Sequence, residues 1–411
     1  MQATAPTPIS PMKMTSLVLG WLLLSLFACV VHAEDQRWPD FGITAQHDGS
    51  AGAPSYFQGF ESACFNAPYQ PGAGATDWVR FYSEIVRVGT GSGGIASRNG
   101  FNHAEIRPPL PTAPAPTTGA FTRLGGYSSN FGAGFVVELD VFFDLTDPRV
   151  VSGVNAAYGW DAASAVNNRE GGFRRDFVFH AANNSSGQIL VGASNITNFA
   201  PRGNLASGAH YVVASSGWYT LQWVYRDAGN GTLAGDLRLR NQAGNLLFMQ
   251  TLNNPEDVIA TSVGGNRYLW LTFVESARLP IDNARLNSGV LDALYASMPP
   301  PGSVLNAGRA NPGNPAAGTR LNILSQGTLR LEVCACELSG PGAADYSVSN
   351  CPTEIAPGSS ASIGILCTPT AAGARNAVLT VRTNDSLQGT DFSYPLQCTG
   401  DPDFLFANGF E

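Results

Sequence analysis

The chain is poor in charged residues. Of its 411 residues, 13% are Asp, Glu, Lys or Arg, against about 25% in an average soluble domain. Lys13 is the only lysine, and the net charge is −8 at pH 7, so the chain lacks a basic run of the kind that neutralises phosphates. Its hydrophobic fraction of 44% excludes a charge-rich disordered chain. We therefore expect an ordered protein with no nucleic-acid partner.

Long hydrophobic runs are also scarce, with one exception near the N-terminus. Residues 17–31 are apolar, follow Lys13, and end in Val31-His32-Ala33. This order predicts a secretory signal peptide that is cut after Ala33. An uncleaved membrane anchor and lipid attachment at Cys29 stay open as alternatives. No later stretch is long enough to span a bilayer, so we expect a secreted or cell-surface protein with no membrane span after cleavage.

Glycine and proline are abundant, with 46 and 27 residues, and helical patterns are rare. Apolar and polar residues alternate over 137–143 and 219–225, which predicts strands. Gly-rich turns between such strands favour a sandwich or jelly roll. One helix is expected over 288–298, ended by the prolines 299–301. The predicted fold class is all-β, with a jelly-roll β-sandwich followed by a smaller immunoglobulin-like β-sandwich.

The first predicted sandwich, residues 54–287, resembles the concanavalin A-like lectin and glucanase jelly rolls of secreted bacterial proteins. The residues that carry the resemblance are Phe60-Glu61, Trp78, Gly91-Ser92-Gly93-Gly94-Ile95-Ala96-Ser97, His103-Ala104-Glu105, Gly217-Trp218-Tyr219, Gly264-Gly265-Asn266-Arg267-Tyr268 and Ile281-Asp282-Asn283. The resemblance implies a bacterial host, periplasmic or outer-surface location, pairing of the first and last strands, and carbohydrate as the ligand class.

The second sandwich, residues 303–400, resembles the Hydin-like immunoglobulin-type domains. The matching residues are Leu338-Ser339-Gly340-Pro341, Asp345-Tyr346-Ser347-Val348, Ile355-Ala356-Pro357-Gly358, Thr368-Pro369-Thr370-Ala371-Ala372-Gly373 and the run from Ala377 to Asp385. The resemblance implies a spacer or interaction module.

The expected division of the chain is a signal peptide 1–33, an N-terminal segment 34–53, the jelly roll 54–287, a short helix and Pro-rich linker 288–302, the immunoglobulin-like domain 303–400, and a C-terminal tail 401–411.

Polar residues share one side of several predicted strands, since side chains alternate between faces. If these faces meet, they form a charged concave surface where jelly-roll proteins hold sugar. If they do not, each is the solvated face of an antiparallel sheet. The polar loop around Trp160 adds a ring that could stack on a sugar. The expected ligand-binding residues are Trp160, Asp161, Asn167, Arg174, Asp176, His103, Glu138 and Asp140.

The leading functional hypothesis is an exported, non-catalytic binding or surface protein whose partner is an extracellular glycan or a surface protein. The run His103-Ala104-Glu105-Ile106-Arg107 resembles the arginine-bearing strand of jelly-roll alginate lyases. The resemblance implies a polysaccharide lyase as one alternative, in which Arg107 neutralises a uronate, His180 abstracts a proton and Tyr268 acts as acid. A glycoside hydrolase that uses Glu138 and Asp140 is another, although Phe142 stands where a third acid is wanted. A purely structural cell-surface component is the last alternative function.

Metal and cysteine signals are limited. No His or Cys pair has zinc spacing, but Glu61 and Asp282, on the strands expected to pair, could serve calcium with backbone oxygens. No other cofactor is expected. Export makes disulfides the default state of the cysteines. We expect the pairs Cys336–Cys351 and Cys367–Cys398, with Cys64 and Cys334 either free or joined across the two domains.

Overall fold

The computed structural model describes residues 56–62, 78–81, 83–107, 119–122, 124, 127–128, 134–167, 173–194, 202–253, 259–260, 262, 265–266, 269–288 and 292–404. These residues form strands and turns, with one short helix, α1 (Pro148–Val151), and 3₁₀ turns at Ser92–Gly94, Arg202–Ser207 and Ala343–Asp345. The predicted all-β class is confirmed. The signal segment and Cys29 lie outside the described residues, as does the tail beyond Phe404. Within the described part, no helix combines the length and apolarity needed to cross a membrane.

The first sandwich contains a nine-stranded sheet. Its strands are β1 (Tyr56–Gln58), β3 (Glu84–Gly89), β4 (Asn102–Arg107), β7 (Gly134–Phe143), β12 (Gly217–Asp227), β13 (Thr232–Asn241), β14 (Leu246–Leu252), β15 (Ile259–Ala260) and β18 (Leu279–Leu286). Their order is β14-β13-β12-β7-β18-β4-β3, with β1 on β18 and β15 on β13. β1 and β18 pair as antiparallel neighbours, with Tyr56 opposite Leu286, so the first described strand closes against the last strand of this sandwich.

A seven-stranded sheet forms the other layer. Its strands are β2 (Val79–Phe81), β5 (Gly119–Thr122), β8 (Gly159–Asn167), β9 (Phe173–Asn183), β10 (Ile189–Ser194), β11 (Tyr211–Val212) and β17 (Leu269–Glu275), in the order β11-β10-β9-β8-β17-β5-β2. A separate two-stranded ribbon joins β6 (Tyr127–Ser128) to β16 (Gly265–Asn266).

Large apolar side chains from the two sheets meet between them. Trp223 on β12 is fully buried, and its Nε1 donates a hydrogen bond to the backbone oxygen of Phe177 on β9, 2.7 Å away. The rings of Phe143 on β7 and Trp160 on β8 stack with centroids 5.4 Å apart. Because alternate residues of each strand face this core, the polar residues between them point to the outer face of each sheet.

The second sandwich has two smaller sheets and a hydrophobic core of its own. One sheet orders β19 (Tyr295–Met298), β21 (Thr319–Ser325), β25 (Ser360–Cys367) and β23 (Tyr346–Ser349). The other orders β20 (Leu305–Ala310), β27 (Asp391–Gly400), β26 (Gly373–Thr383), β22 (Leu331–Ser339) and β24 (Glu354–Ile355). All described pairings in this sandwich are antiparallel except β20 with β27, which is parallel.

The helix expected over 288–298 is wrong where the structure describes it. Residues 292–294 have no regular structure, and Tyr295 begins the edge strand β19 opposite Ser325. Ala293 and Tyr295 are both buried, at a period of two, and the ring of Tyr295 stacks on Phe392 with centroids 4.0 Å apart. The second sandwich therefore begins about ten residues earlier than the proline break suggested, because tertiary packing outweighs a short helical pattern.

The second sandwich contains the two disulfides expected from the sequence. Cys336 on β22 bonds to Cys351, with Cα atoms 6.1 Å apart, and Cys367 on β25 bonds to Cys398 on β27, with Cα atoms 6.5 Å apart. Both separations lie in the range that a disulfide spans. The second bond ties one sheet of the sandwich to the other.

Cys334 is also disulfide-bonded, and its partner lies outside the described residues, as Cys64 does. Ser62, two residues before Cys64, is described, and its Oγ lies 3.4 Å from Sγ of Cys334. We predict that peptide mapping without reduction recovers Cys64 and Cys334 in one cross-linked peptide. Recovery of either cysteine as a free, alkylated thiol from the unreduced protein would contradict this link between the sandwiches.

Candidate functional site

The outer face of the nine-stranded sheet carries a buried network of polar side chains, which we call the polar layer. Its members come from neighbouring strands and are at most 5% exposed; they are Glu138, Asp140, Thr220, Gln222, Arg240, Asp282, Asn283 and Arg285. Register explains why they meet, since Glu138 lies opposite Gln222 and Asp140 lies opposite both Thr220 and Asp282.

Arg285 is the central cation of the polar layer. Its Nε lies 3.0 Å from Oε2 of Glu138, and its Nη2 lies 3.7 Å from Oδ1 of Asp140. Gln222 donates from Nε2 to Oε1 of Glu138 over 2.6 Å and accepts at Oε1 from Nε of Arg240 over 3.2 Å. Because Glu138 and Asp140 are buried and satisfied by protein groups, neither is open to a ligand. The expectation that they bind sugar, or act as hydrolase carboxylates, is therefore wrong.

Asp282 and Glu61 are held by backbone N–H groups. Oδ2 of Asp282 accepts from the amides of Arg98 and Asn99, at 3.0 and 3.3 Å. Oε1 of Glu61 accepts from the amides of Phe101 and Asn102, at 2.9 and 3.1 Å. The loop between β3 and β4 thus folds over this end of the polar layer and buries it.

These contacts do not resemble a calcium site. A cation needs oxygen lone pairs, but N–H donors point at the oxygens of both Glu61 and Asp282. The described residues also contain no group of three or more His, Cys, Asp or Glu side chains that could hold a metal ion. We therefore make no calcium proposal for this pair.

The same two carboxyls predict an unusual pH dependence of stability. Burial raises the pKa of Glu61 from 4.5 to about 7, and burial, with the charge of Asp140, raises the pKa of Asp282 well above its usual value. The folded protein then holds protons that the unfolded chain has released. The free energy of unfolding is expected to fall as pH rises from about 4.5 to about 7, by on the order of 3 kcal/mol for Glu61.

Urea unfolding at several pH values measures this slope. Glu61→Gln is neutral at every pH and is expected to remove the part of the decline that Glu61 contributes, while the part that Asp282 contributes remains. A stability that rises over the same interval in the unmodified protein would contradict the raised pKa values.

His103, Glu105 and Arg107 follow one another on the outer side of β4, as expected. His103 is fully buried; Oγ of Ser97 lies 3.0 Å from its Nδ1, and burial lowers the pKa of its ring. Glu105 is buried and accepts from Nε and Nη2 of Arg107, at 3.1 and 2.8 Å. Nε2 of His103 is buried and has no hydrogen-bond partner among the described residues, so a ligand at His103 stays a prediction.

The outer face of the seven-stranded sheet carries a different arrangement. Asp161 on β8 lies opposite His180 on β9, and β10 brings Ser194 alongside. Nδ1 of His180 is 2.9 Å from Oδ1 of Asp161, and Nε2 is 2.7 Å from Oγ of Ser194. Asp161 and His180 are buried, whereas Ser194 is half-buried. Three strands thus line up a carboxylate, an imidazole and a hydroxyl.

An open cavity of about 370 Å³ adjoins His180. We call it the His180 cavity, and its described lining consists of His180, Ala193, Asn204, Leu205, Ser207, Gly208, Ala209 and Gln250. The 3₁₀ turn Arg202–Ser207 and the residues after it form its rim, where Asn204 and Ser207 are exposed to solvent. The cavity is therefore accessible from outside.

Gly192 allows this rim to lie close to the sheet. A Cβ at position 192 would be 2.8 Å from Cδ2 of Leu205 and 3.3 Å from the backbone oxygen of Ala209. Both distances are shorter than an ordinary van der Waals contact. The absence of a side chain at Gly192 thus sets the spacing between β10 and the loop that bounds the cavity.

The other predicted site residues do not gather at one place. Trp160 is fully buried between the sheets, and its Nε1 donates to the hydroxyl of Tyr158, so the expectation that it stacks on sugar is wrong. Asp161 and His180 lie on the outer face of one sheet, whereas His103, Glu138 and Asp140 lie on the outer face of the other. Tyr268 and the side chains of Asn167, Arg174 and Asp176 lie outside the described residues.

The lyase arrangement is wrong for the same reason. Arg107 belongs to the nine-stranded sheet and His180 to the seven-stranded sheet, and the hydrophobic core separates their outer faces.

Sequence reasoning also missed Ser194, Gln222 and Arg285. Gly192 precedes Ser194 by two positions, but Ile196 occupies the place of the second glycine in the G-x-S-x-G motif, so no local signal marks this serine.

Comparisons with known proteins give no family. No protein-family model and no curated protein matches the chain. Solved structures that match include a protein of unknown function from Shewanella oneidensis MR-1, 12% identical, with 57% of this chain and 86% of that chain covered and a TM-score of 0.33. The marine PL-14 alginate lyase from Aplysia kurodai is 12% identical, with 50% and 90% covered and a TM-score of 0.30. A protein of unknown function from Porphyromonas gingivalis W83 is also 12% identical, with 44% and 90% covered and a TM-score of 0.23. With TM-scores this low, we draw no functional conclusion from these likenesses.

Proposed function

We propose that the protein is an exported glycan-binding protein whose ligand site is the His180 cavity. The observation that carries this proposal is that the accessible lining combines uncharged polar side chains with small apolar ones. Asn204, Ser207 and Gln250 offer amide and hydroxyl groups that both donate and accept hydrogen bonds. Sugar hydroxyls do the same, so the two sets of groups are complementary.

The lining also argues against charged ligands. None of its described residues is Arg, Lys, Asp or Glu. Phosphates and uronates are bound through cations, Arg above all, so a neutral sugar suits the cavity better than an anionic one. The volume of about 370 Å³ lies near the lower end of the range of about 300–1,000 Å³ for ligand pockets. A short glycan segment, rather than a long chain, is the ligand we propose.

The rest of the chain fits an extracellular role. Disulfides persist in oxidising compartments, and the second sandwich contains two of them. In the proposed organisation, residues 1–33 direct export, the first sandwich binds, and the immunoglobulin-like sandwich is a spacer or interaction module at the bacterial surface.

Binding to a panel of neutral glycans, followed by calorimetry on the best ligand, tests the proposal. Gln250→Ala and Asn204→Ala each remove hydrogen-bonding groups from the cavity. Loss of such a bond leaves the partner on the sugar unsatisfied, and we expect each variant to bind about tenfold more weakly. Gln242→Ala changes an exposed glutamine that does not line the cavity, and its affinity is expected to match that of the unmodified protein.

Absence of binding to every glycan in the panel would contradict the proposal and favour a purely structural surface component. Binding that Gln250→Ala and Asn204→Ala leave unchanged would move the ligand site elsewhere in the molecule.

A further inference from the structure

The order of the hydrogen bonds among Asp161, His180 and Ser194 is the one that activates a serine. A base within hydrogen-bond reach of a hydroxyl, itself oriented by a carboxylate, defines a nucleophile triad by geometry rather than by sequence. Both distances here, 2.9 and 2.7 Å, meet that requirement. We infer that Ser194 is a nucleophile that removes short acyl groups from esters held in the His180 cavity. The choice of an acylated sugar as substrate rests on the proposed glycan-binding function.

The positions of the protons in the triad follow from the hydrogen-bonding chemistry of Asp161 and Ser194. An ionised carboxylate only accepts hydrogen bonds, so the proton on His180 is assigned to Nδ1, which donates to Asp161. In the neutral ring, Nε2 is then an acceptor, and the hydroxyl of Ser194 donates to it. This tautomer leaves Nε2 ready to take the proton of Ser194 when the oxygen attacks.

The carboxylate and the imidazole of the triad are more buried than the serine, and catalysis needs the serine to be the accessible member. Asp161 and His180 are 1% and 0% exposed, and Ser194 is half-buried at the end of β10. The carboxylate is thus shielded from water. In this buried environment it stabilises a protonated imidazole more strongly than it would in solvent. His180 lines the cavity, and Oγ of Ser194 lies 2.7 Å from its Nε2, so the nucleophile lies next to a residue of the cavity wall.

The cavity offers two kinds of surface to a substrate. Leu205, Ala193 and Ala209 are apolar and suit a small acyl group, whereas Asn204, Ser207 and Gln250 suit the hydroxyls of the alcohol part. The limited volume favours acetyl over long acyl chains. The substrate class is therefore a short-chain O-acyl ester of a neutral sugar.

The reaction is a hydrolysis in two halves. Oγ of Ser194 bonds to the acyl carbon while its proton passes to Nε2 of His180, and the carbonyl electrons move to oxygen. When the carbonyl re-forms, the sugar oxygen leaves and takes the proton from Nε2. Water then attacks the acyl-serine, gives a proton to Nε2, and releases the carboxylic acid as Ser194 recovers its proton. The sum is ester plus water to alcohol plus acid, with no other reactant.

Hydrolysis of p-nitrophenyl acetate and of acetylated xylotriose by the full-length protein tests the inference. Ser194→Ala is expected to lower kcat by about 10³-fold or more. Ser185→Ala, which changes an exposed serine on the turn between β9 and β10, is expected to keep the unmodified rate. Circular dichroism checks that each variant is folded. If Ser194→Ala does not fold, acid quenching of the unmodified protein with p-nitrophenyl acetate gives the answer, because the acetyl group is expected on the peptide that contains Ser194.

Asp161 acts through His180 and is a positioning residue. Asp161→Asn is expected to lower kcat by about 10²- to 10⁴-fold while KM stays within about twofold, since the carboxylate does not line the cavity. A residue with a purely structural role would change folding and both constants together.

The outcomes separate this inference from the proposed function. Ester cleavage that depends on Ser194, without binding of any unacylated glycan, supports the nucleophile and contradicts the glycan proposal. The opposite result is a folded protein that binds a glycan, cleaves both esters no faster than Ser194→Ala, and carries no acetyl group after quenching. This result overturns the inference and leaves the glycan proposal standing.

Discussion

Arg285→Met is expected to lower the free energy of unfolding by about 3–5 kcal/mol. The guanidinium of Arg285 is 2% exposed and lies between two carboxylates that are themselves buried, Glu138 and Asp140. Methionine preserves much of the side-chain volume but leaves both carboxylates without this cation. Breaking a buried ion pair from one side is costly because the remaining charge has already lost its water. Urea unfolding at pH 7 measures the change.

Two further variants separate the charge effect from packing. Arg226→Met removes an arginine that also pairs with a carboxylate, Asp236, but whose side chain is 42% exposed. Its expected effect is at most about 1 kcal/mol. Adding Glu138→Gln and Asp140→Asn to Arg285→Met is expected to recover part of the loss, because the buried charges are then gone. If Arg285→Met is no more destabilising than Arg226→Met, the polar layer is not held by this cation.

Trp223→Ala is expected to destabilise the first sandwich by about 3–5 kcal/mol. The ring is fully buried, lies edge-on to Phe179 with centroids 5.0 Å apart, and bonds through Nε1 to the backbone of Phe177. Alanine leaves a cavity between the two sheets and an unsatisfied backbone oxygen. Trp223→Phe fills most of the cavity and is expected to lose less, so the difference between the variants measures packing.

The same experiment tests the proposed division into two domains. The first and second sandwiches have separate hydrophobic cores, so we expect two thermal transitions, of which Trp223→Ala lowers only one. A single transition that moves as a whole would show that the two sandwiches unfold as one unit. Calorimetry of the full chain distinguishes these results.

The strands were predictable because their signal is local. Alternation over 137–143 and 219–225 predicted strands there, and the structure forms β7 and β12 over these residues with Leu139 and Trp223 buried. Long strands with one buried face repeat that pattern several times. The segment 288–298 failed because three or four apolar positions fit a helix and a strand almost equally well, and only the packing of Tyr295 against Phe392 decides between them.

The candidate site was less predictable because it depends on which strands become neighbours. Asp161 and His180 were singled out from polar patterns, but the sequence could not tell that they pair across β8 and β9 or that Ser194 completes the set. Polar alternation also suggested that the outer face of β7 is open to ligand, since an outward face is usually solvated. Periodicity assigns a face and carries no information on the loop that covers it, here the one between β3 and β4.

The arrangement of Asp161, His180 and Ser194 beside an accessible cavity is the central claim, and covalent capture tests it most directly. A fluorophosphonate probe reacts with serines that an adjacent base has activated. After incubation of the full-length protein with the probe and digestion, we expect mass spectrometry to find the phosphonate on Ser194 and no labelling of the folded Asp161→Asn variant at the same exposure. Labelling spread over several serines, or none on Ser194 in the folded protein, would contradict the claim.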